Sequence, residues 1–189
     1  MKRIAVFASG SGTNAQNIIE YFSKNNEVDV ACILSNKKDA YVLERARKLG
    51  IESISFTRDE FYNSEFVLNY IEKRNIDLIV LAGFLWLIPE IIIRSFTGRI
   101  INIHPALLPK YGGKGMYGSN VHEAVFNNND KVTGITIHYV NEKYDDGAII
   151  FQDQVDLDSN ESPDTIAKKV HTLEYEHFPL VIEKVLDLL

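Results

Sequence analysis

Asn102 and His104 stand two residues apart at the end of an apolar run, Ile100–Ile103, and Pro105 follows directly. In an extended strand, residues i and i+2 project to the same side. The amide and the imidazole therefore share one face, while Ile101 and Ile103 point into packing. Pro105 keeps His104 out of a helix, so both polar groups belong at the strand's carboxyl end. An amide beside an imidazole suits attack on a carbonyl. Asn102 can donate a hydrogen bond to a developing oxyanion, and His104 can hold or transfer a proton near neutral pH. The pair lacks a carboxylate. Tyr144-Asp145-Asp146-Gly147, a turn between two strand-like runs, supplies one, with Asp145 the candidate. A lone histidine at a strand end is explained by loop anchoring; the Asn-x-His-Pro grouping asks for more.

A second chemical signal lies near the N-terminus, in Ala8-Ser9-Gly10-Ser11-Gly12-Thr13-Asn14. Glycines let the backbone turn tightly and bring N–H groups to a ligand, and the helix N-terminus that follows adds partial positive charge. Ser11, Thr13 and Asn14 add side-chain donors, which makes phosphate the natural guest. Gly10, Gly12 and Ala15 match the G-x-G-x-x-A form of the dinucleotide fingerprint. That fingerprint also needs an acid where the second strand ends, whereas this strand ends Leu34-Ser35-Asn36-Lys37. A phosphomonoester fits better than a dinucleotide.

These residues need a scaffold that brings strand ends together. Ile4–Ala8, Val28–Leu34, Ile54–Phe56, Leu78–Ala82 and Ile100–Ile103 read as strands buried on both faces. Asn14–Phe22, Tyr41–Leu49 and Ser64–Arg74 carry apolar residues at helical spacing, with Asn14 and Asp39 as expected N-caps and Gly50 just past a helix end. The alternation predicts an α/β fold: an open, mostly parallel Rossmann-like sheet with helices on both faces. After a helix over Asn120–Asn127, the runs Val132–Val140 and Ala148–Val155 predict an antiparallel extension in the C-terminal third. The alternation in the first run suggests an edge or half-exposed strand. Ser162-Pro163-Asp164 opens a closing helix over Thr165–Leu189 with a possible break at Pro179.

The chain has 189 residues, 46% hydrophobic and 24% charged, which suits one well-buried domain. The expected organisation is a single domain over 1–189, with 1–100 the phosphate-substrate half and 101–189 the catalytic half. A net charge of −6 argues against a broad nucleic-acid or membrane footprint. Cys32 is alone, so neither a disulfide frame nor a thiolate metal cluster is expected. The N-terminal apolar run ends at Ala8, too short for a signal segment or spanning helix, and a cytoplasmic protein, monomer or homodimer, is expected.

Gly10-Ser11-Gly12-Thr13-Asn14, Leu81-Ala82-Gly83-Phe84, Asn102-Ile103-His104-Pro105-Ala106-Leu107-Leu108-Pro109, Tyr144-Asp145-Asp146-Gly147 and Glu174 occur in this order along nearly the whole chain. In this the sequence resembles the folate-dependent formyltransferases, and its early Gly-rich loop resembles the phosphoribosylglycinamide formyltransferase branch. The resemblance implies transfer of a formyl group from the co-substrate 10-formyltetrahydrofolate to the amine of glycinamide ribonucleotide in purine synthesis. It implies Asn102, His104 and Asp145 as catalytic residues, Gly10, Ser11, Gly12, Thr13 and Asn14 on the substrate phosphate, and Glu174 near the substrate amine. It lays the folate along Phe84, Leu85, Trp86, Leu87 and Ile88 and against Val140, Asn141 and Tyr144. It implies no metal, and small molecules rather than nucleic acid or membrane as partners.

Two departures from that pattern stand out. Leu85-Trp86-Leu87 replaces the Met-Arg-Ile of many relatives, so that Trp86 either stacks on a folate ring or simply packs. Asp146 follows Asp145 where a second glycine is usual, and two adjacent carboxylates compete for the role. The Lys110–Gly118 segment, with glycines and two lysines, reads as a mobile rim. His122 reads as a helix-surface residue, His138 as either site-lining or structural, and His171 and His177 as structural. Competing readings are a formyltetrahydrofolate hydrolase, a sugar-nucleotide formyltransferase, or a non-catalytic nucleotide-binding module. A methionyl-tRNA formyltransferase would carry an additional basic domain.

Overall fold

In the computed structural model, which describes residues 1–189, the apolar runs pair into one seven-stranded sheet. Its strands are β1 (Lys2–Phe7), β2 (Val28–Ser35), β3 (Ser53–Ser55), β4 (Leu78–Leu81), β5 (Ile100–His104), β6 (Val132–Tyr139) and β7 (Ile149–Asp156). The order is β3-β2-β1-β4-β5-β6-β7. β3 to β5 run parallel, and β6 and β7 add antiparallel to β5. The helices are α1 (Thr13–Phe22), α2 (Tyr41–Lys48), α3 (Arg58–Tyr62), α4 (Phe66–Glu72), α5 (Glu90–Ser95), α6 (Ser119–Asn127) and α7 (Pro163–Leu186).

Both faces of the parallel strands are covered, which is why those strands are apolar without alternation. On one face Ile4, Val6, Val80 and Ile101 pack with Ile18 and Phe22 of α1 and with Val170, Phe178 and Ile182 of α7. On the other, Ala5, Phe7, Ile79 and Ile100 pack with Phe61, Val67, Ile71 and Ile92 of α3 to α5.

Strand order reverses between β1 and β4, because β1 connects through α1 to β2 on one side while β4 lies on the other. Ligand crevices of open α/β sheets form at such a switch point, outside the carboxyl ends of the strands. The two loops leaving it are tied together: the Ser9 N–H donates to the Gly83 carbonyl at 3.0 Å, and the Leu85 N–H donates to Ser9 Oγ at 2.9 Å.

Several local expectations change. The N-cap of α1 is Gly12 rather than Asn14, which sits in the first turn, and the N-cap of α2 is Ala40 rather than Asp39. β6 is an interior strand, not an edge: β7 shields its outer side, and all residues from Thr133 to His138 are buried. β7 is the edge, and its exposure alternates accordingly. The stretch expected as one helix over Ser64–Arg74 yields α4, preceded by the separate α3, whose Thr57–Glu60 capping box marks its start. α7 starts from a Ser162–Thr165 capping box and runs without interruption through Pro179.

Candidate active site

The sheet's carboxyl edge opens into a cleft of about 790 Å³. All five residues of the Gly10–Asn14 loop line it, together with Asn102, His104, Asp145 and Glu174. The elements that carry them explain the convergence. β1 delivers the glycine loop, β5 delivers Asn102 and His104, the β6–β7 turn delivers Asp145, and α7 crosses behind with Glu174.

At the phosphate-loop end, Gly12 is left-handed with φ 73°, and a Cβ there would lie 2.3 Å from Val42 Cγ2. Only glycine allows this turn to sit on α2. The N–H groups of Gly10, Ser11, Gly12 and Thr13 make no hydrogen bond within the protein, whereas the Gln16 N–H already closes the first helical turn on the Gly12 carbonyl. No side chain caps α1. The loop is thus a set of unspent donors at a helix N-terminus, held from outside by Arg45 Nε on the Ser11 carbonyl at 2.8 Å. Asn14, also in the cleft lining, donates through Nδ2 to Glu174 Oε2 at 2.9 Å.

At the other end, Asp145 is the hub. Its Oδ2 accepts the Gly113 N–H at 2.9 Å, and its Oδ1 faces Asn102 Nδ2 at 3.5 Å, His104 Nδ1 at 3.6 Å and His138 Nε2 at 3.6 Å. Asp145 adopts φ 54°, and a Cβ on Gly147 would strike the Tyr139 carbonyl oxygen at 1.7 Å, so the turn depends on a glycine two residues on. Asp146, by contrast, is half-exposed and bonds to Asn141 Nδ2 at 3.3 Å. The cleft takes Asp145 alone of the two.

Hydrogen-bond partners fix the protonation pattern. The Tyr139 carbonyl, 2.8 Å from His138 Nδ1, can only accept, so Nδ1 carries a proton, and in the neutral tautomer Nε2 holds a lone pair. Asn102 Nδ2 then donates to that lone pair at 3.0 Å, which sets the amide's orientation. Its second N–H points at Asp145 from the outer limit of a hydrogen bond. In His104 the arrangement is reversed: Nε2 lies 2.7 Å from the Tyr111 carbonyl and must donate, leaving the Nδ1 lone pair toward Asp145. Burial pushes the His104 pKa down and outweighs the upward pull of Asp145 and the Tyr111 carbonyl. The ring rests neutral, rather than as an imidazolium held by Asp145. For Asp145, burial acts upward, but the His138 and His104 rings in their protonated forms and the Gly113 N–H more than offset it, so its pKa lies below the ordinary carboxylate value.

Three histidines read from sequence as surface, structural or undecided belong to this cleft or its wall. His138 is cross-strand from Asn102 in the β5–β6 register, and the shared face of Thr136 and His138 was the available signal. Thr136, opposite His104, holds the following loop by accepting the Leu108 N–H at 3.0 Å and donating to the Ala106 carbonyl at 2.7 Å. His122 is 4% exposed and lines the cleft rather than the outer surface of α6. His171 also lines it, with Nδ1 2.7 Å from Glu174 Oε2; that bond raises its pKa against burial. His177 does pair structurally, with Asp153 at 2.8 Å.

Of the expected folate contacts, Phe84, Leu85 and Tyr144 line the cleft. Trp86 lies behind them, against Phe56, Phe61, Tyr62 and Phe84, with the Arg58 guanidinium 5.6 Å from its ring centre. Ile88 is 4% exposed in the same core, and the Leu87 carbonyl accepts from Tyr62 at 2.8 Å. Val140 packs on that core, and Asn141 accepts the Lys143 N–H at 2.9 Å within the turn. These five stand outside the cleft lining. No group of three or more His, Cys, Asp or Glu residues is arranged to hold a metal ion.

The sequence and the fold both have known relatives. The formyl transferase family model matches residues 2–182. A chloroplastic phosphoribosylglycinamide formyltransferase of Arabidopsis thaliana is 43% identical over 93% of this chain, and the chain spans 62% of that protein's length. A phosphoribosylglycinamide formyltransferase of Haemophilus influenzae is 38% identical over 97% of this chain and 86% of its own. The crystal structure of phosphoribosylglycinamide formyltransferase from Bacillus halodurans superposes with a TM-score of 0.87 at 35% identity, covering 98% of this chain and 95% of that one. The chain belongs to the formyl transferase family.

Proposed function

We propose that this protein transfers the formyl group of 10-formyltetrahydrofolate to the amine of glycinamide ribonucleotide, in purine synthesis. The observation that carries this reading is one cleft joining the unpaired N–H groups of Gly10 to Thr13 to the Asn102–His104–Asp145 cluster. A phosphate at the glycine loop holds the nucleotide at one end and leaves its amine to reach the cluster at the other. Phe84, Leu85 and Tyr144 offer an apolar and aromatic wall for the folate. Glu174, anchored by Asn14 next to the phosphate loop, offers a carboxylate to the substrate's own donors.

The chemistry follows from the resting protonation. The amine attacks the formyl carbon and the carbonyl electrons move onto oxygen. Asn102 turns the N–H that Asp145 holds only loosely toward that oxyanion; such a donor is worth roughly 3–4 kcal/mol. Neutral His104 takes the amine's proton on Nδ1, and the imidazolium that forms faces the Asp145 carboxylate. Collapse expels the folate nitrogen, and the proton passes from His104 to it. Asp145 stays ionised throughout and lowers the energy of the intermediate cation.

The test is formyl transfer to glycinamide ribonucleotide by wild type, Asn102→Ala and His104→Ala. We expect transfer by wild type and a loss of about a hundredfold or more in each variant. Consumption of formyl folate without the amine would instead identify a hydrolase, and no turnover with any amine would leave a binding module.

A further inference from the structure

The residues of the reaction are held by a loop that has few anchors of its own. Lys110 to Gly113 makes a sharp excursion, with Tyr111 at φ 57° and Gly113 at φ 96°. This one segment supplies one orienting contact to each member of the acid–base pair. The Tyr111 carbonyl accepts from His104 Nε2 at 2.7 Å, and the Gly113 N–H donates to Asp145 at 2.9 Å. Its own backbone bonds are long, 3.2 Å from the Lys110 N–H to the Leu107 carbonyl and 3.4 Å from the Gly112 N–H to the Pro109 carbonyl. A cavity of about 290 Å³, lined by Leu107, Lys110, Tyr111, Asp130, Val132 and Thr133 among others, lies beside it. Tyr111 packs partly against the core, but this open space leaves apolar contacts on only one side of the turn.

Polar bonds hold the other side, and they converge on one side chain. Asp130 accepts the Tyr111 hydroxyl at 2.7 Å and Lys110 Nζ on both oxygens at 2.7 and 2.6 Å. Asn128 Nδ2 donates to the same phenol oxygen at 2.6 Å. Asp130 is itself tied to the end of α6, where its N–H reaches the Val125 carbonyl at 3.2 Å. Its carboxyl pKa, which burial alone would raise, is held below the ordinary value by Lys110 and Tyr111.

We propose that Asp130 is a positioning residue for the reaction: by gripping Tyr111 and Lys110 from the end of α6, it sets the peptide that fixes His104 and Asp145. It touches neither substrate nor reacting atoms. The proposal rests on the roles of His104 and Asp145 stated above, and its effect is on geometry rather than affinity.

Tyr111→Phe and Asp130→Ala are the test, with Asp130→Asn, which keeps an oxygen for the phenol, as the conservative control. We expect kcat to fall about tenfold to a hundredfold in the first two, as for a displaced catalytic group, with KM for both substrates within about threefold. The His104 ring N–H signal in proton–nitrogen NMR should shift or vanish through faster exchange, and Asp130→Asn should recover most of kcat. Folded Tyr111→Phe and Asp130→Ala proteins with kcat within twofold of wild type and an unchanged His104 signal would overturn the proposal. So would a loss that merely tracks the folded fraction. If wild type shows no formyl transfer, the function fails, while the His104 ring signal in the variants still decides whether Asp130 positions it.

Discussion

Asp145→Asn removes a charge and exchanges the weak acceptor facing Asn102 for a donor. The amide keeps the carboxylate's shape and an oxygen for the Gly113 N–H. What disappears is a negative charge 3.6 Å from His104 Nδ1, in a site where Asp145 is only 12% exposed and His104 4%. At that separation the attraction for an imidazolium is about 1 kcal/mol in bulk water and about 4–5 kcal/mol at an effective dielectric near 20. The site lies between these limits, nearer the second, so the imidazolium loses about 2–4 kcal/mol of support. If its formation lies on the path, kcat/KM falls by about thirtyfold to a thousandfold. The assay is formyl transfer from 10-formyltetrahydrofolate to glycinamide ribonucleotide, with substrate dissociation constants measured alongside. Binding should change little, because Asp145 is assigned no substrate contact. An NMR titration of His104 should show its pKa, already below the ordinary value, falling further. Activity within threefold of wild type, in a folded protein, would refute the assignment of the proton to His104 and of its stabilisation to Asp145.

Gly12→Ala should destabilise the fold by about 2 kcal/mol or more, from the left-handed backbone and the clash with Val42; thermal unfolding reads it, and adding Val42→Ala should restore only part. Burial holds the pKa of His104 and His122 down, so the unfolded chain binds protons that the folded one does not. Their contribution to stability is complete above about pH 6.5 and declines as the pH falls below it. His171, raised by Glu174, acts in the opposite sense, contributing fully below that pH and losing its contribution as the pH rises through its folded value. Urea unfolding of His122→Leu should therefore show a smaller drop between pH 7.5 and 5.5 than wild type. Trp86→Ala should cost about 3 kcal/mol of stability, measured by urea unfolding, through loss of its contacts with Phe56, Phe61, Tyr62 and Phe84; a stability within 1 kcal/mol of wild type would show that this aromatic cluster does not depend on it.

Much of this site is visible in the chain itself because local rules govern it. Asn102 and His104 share a face by strand periodicity, and Pro105 ends the strand for steric reasons that need no tertiary context. The doubly buried parallel strands announce themselves by unbroken runs of Ile, Val and Leu, and the glycine loop by residues that only a tight βα turn requires. The short helices were harder. The three isoleucines Ile91, Ile92 and Ile93 of α5 carry no helical periodicity, and α3, only five residues long, shows itself by its capping box alone.

Other features depend on distance in space rather than along the chain. His138 lies 36 residues from Asn102, and only the antiparallel register of β6 against β5 sets its Nε2 on the amide. His171 and Glu174 lie one turn apart on α7, a helix face that looks solvated until α7 packs against α1 and brings Glu174 to Asn14. Trp86 reads from the chain as either a ligand contact or packing, and only the tertiary structure sets its partly buried ring against Tyr62 and Phe84. The protonation of His104 follows the same division. Sequence supplies an imidazole that titrates near neutrality. The closed tertiary site, through desolvation and a carbonyl from a loop seven residues on, leaves it neutral with its free lone pair toward Asp145.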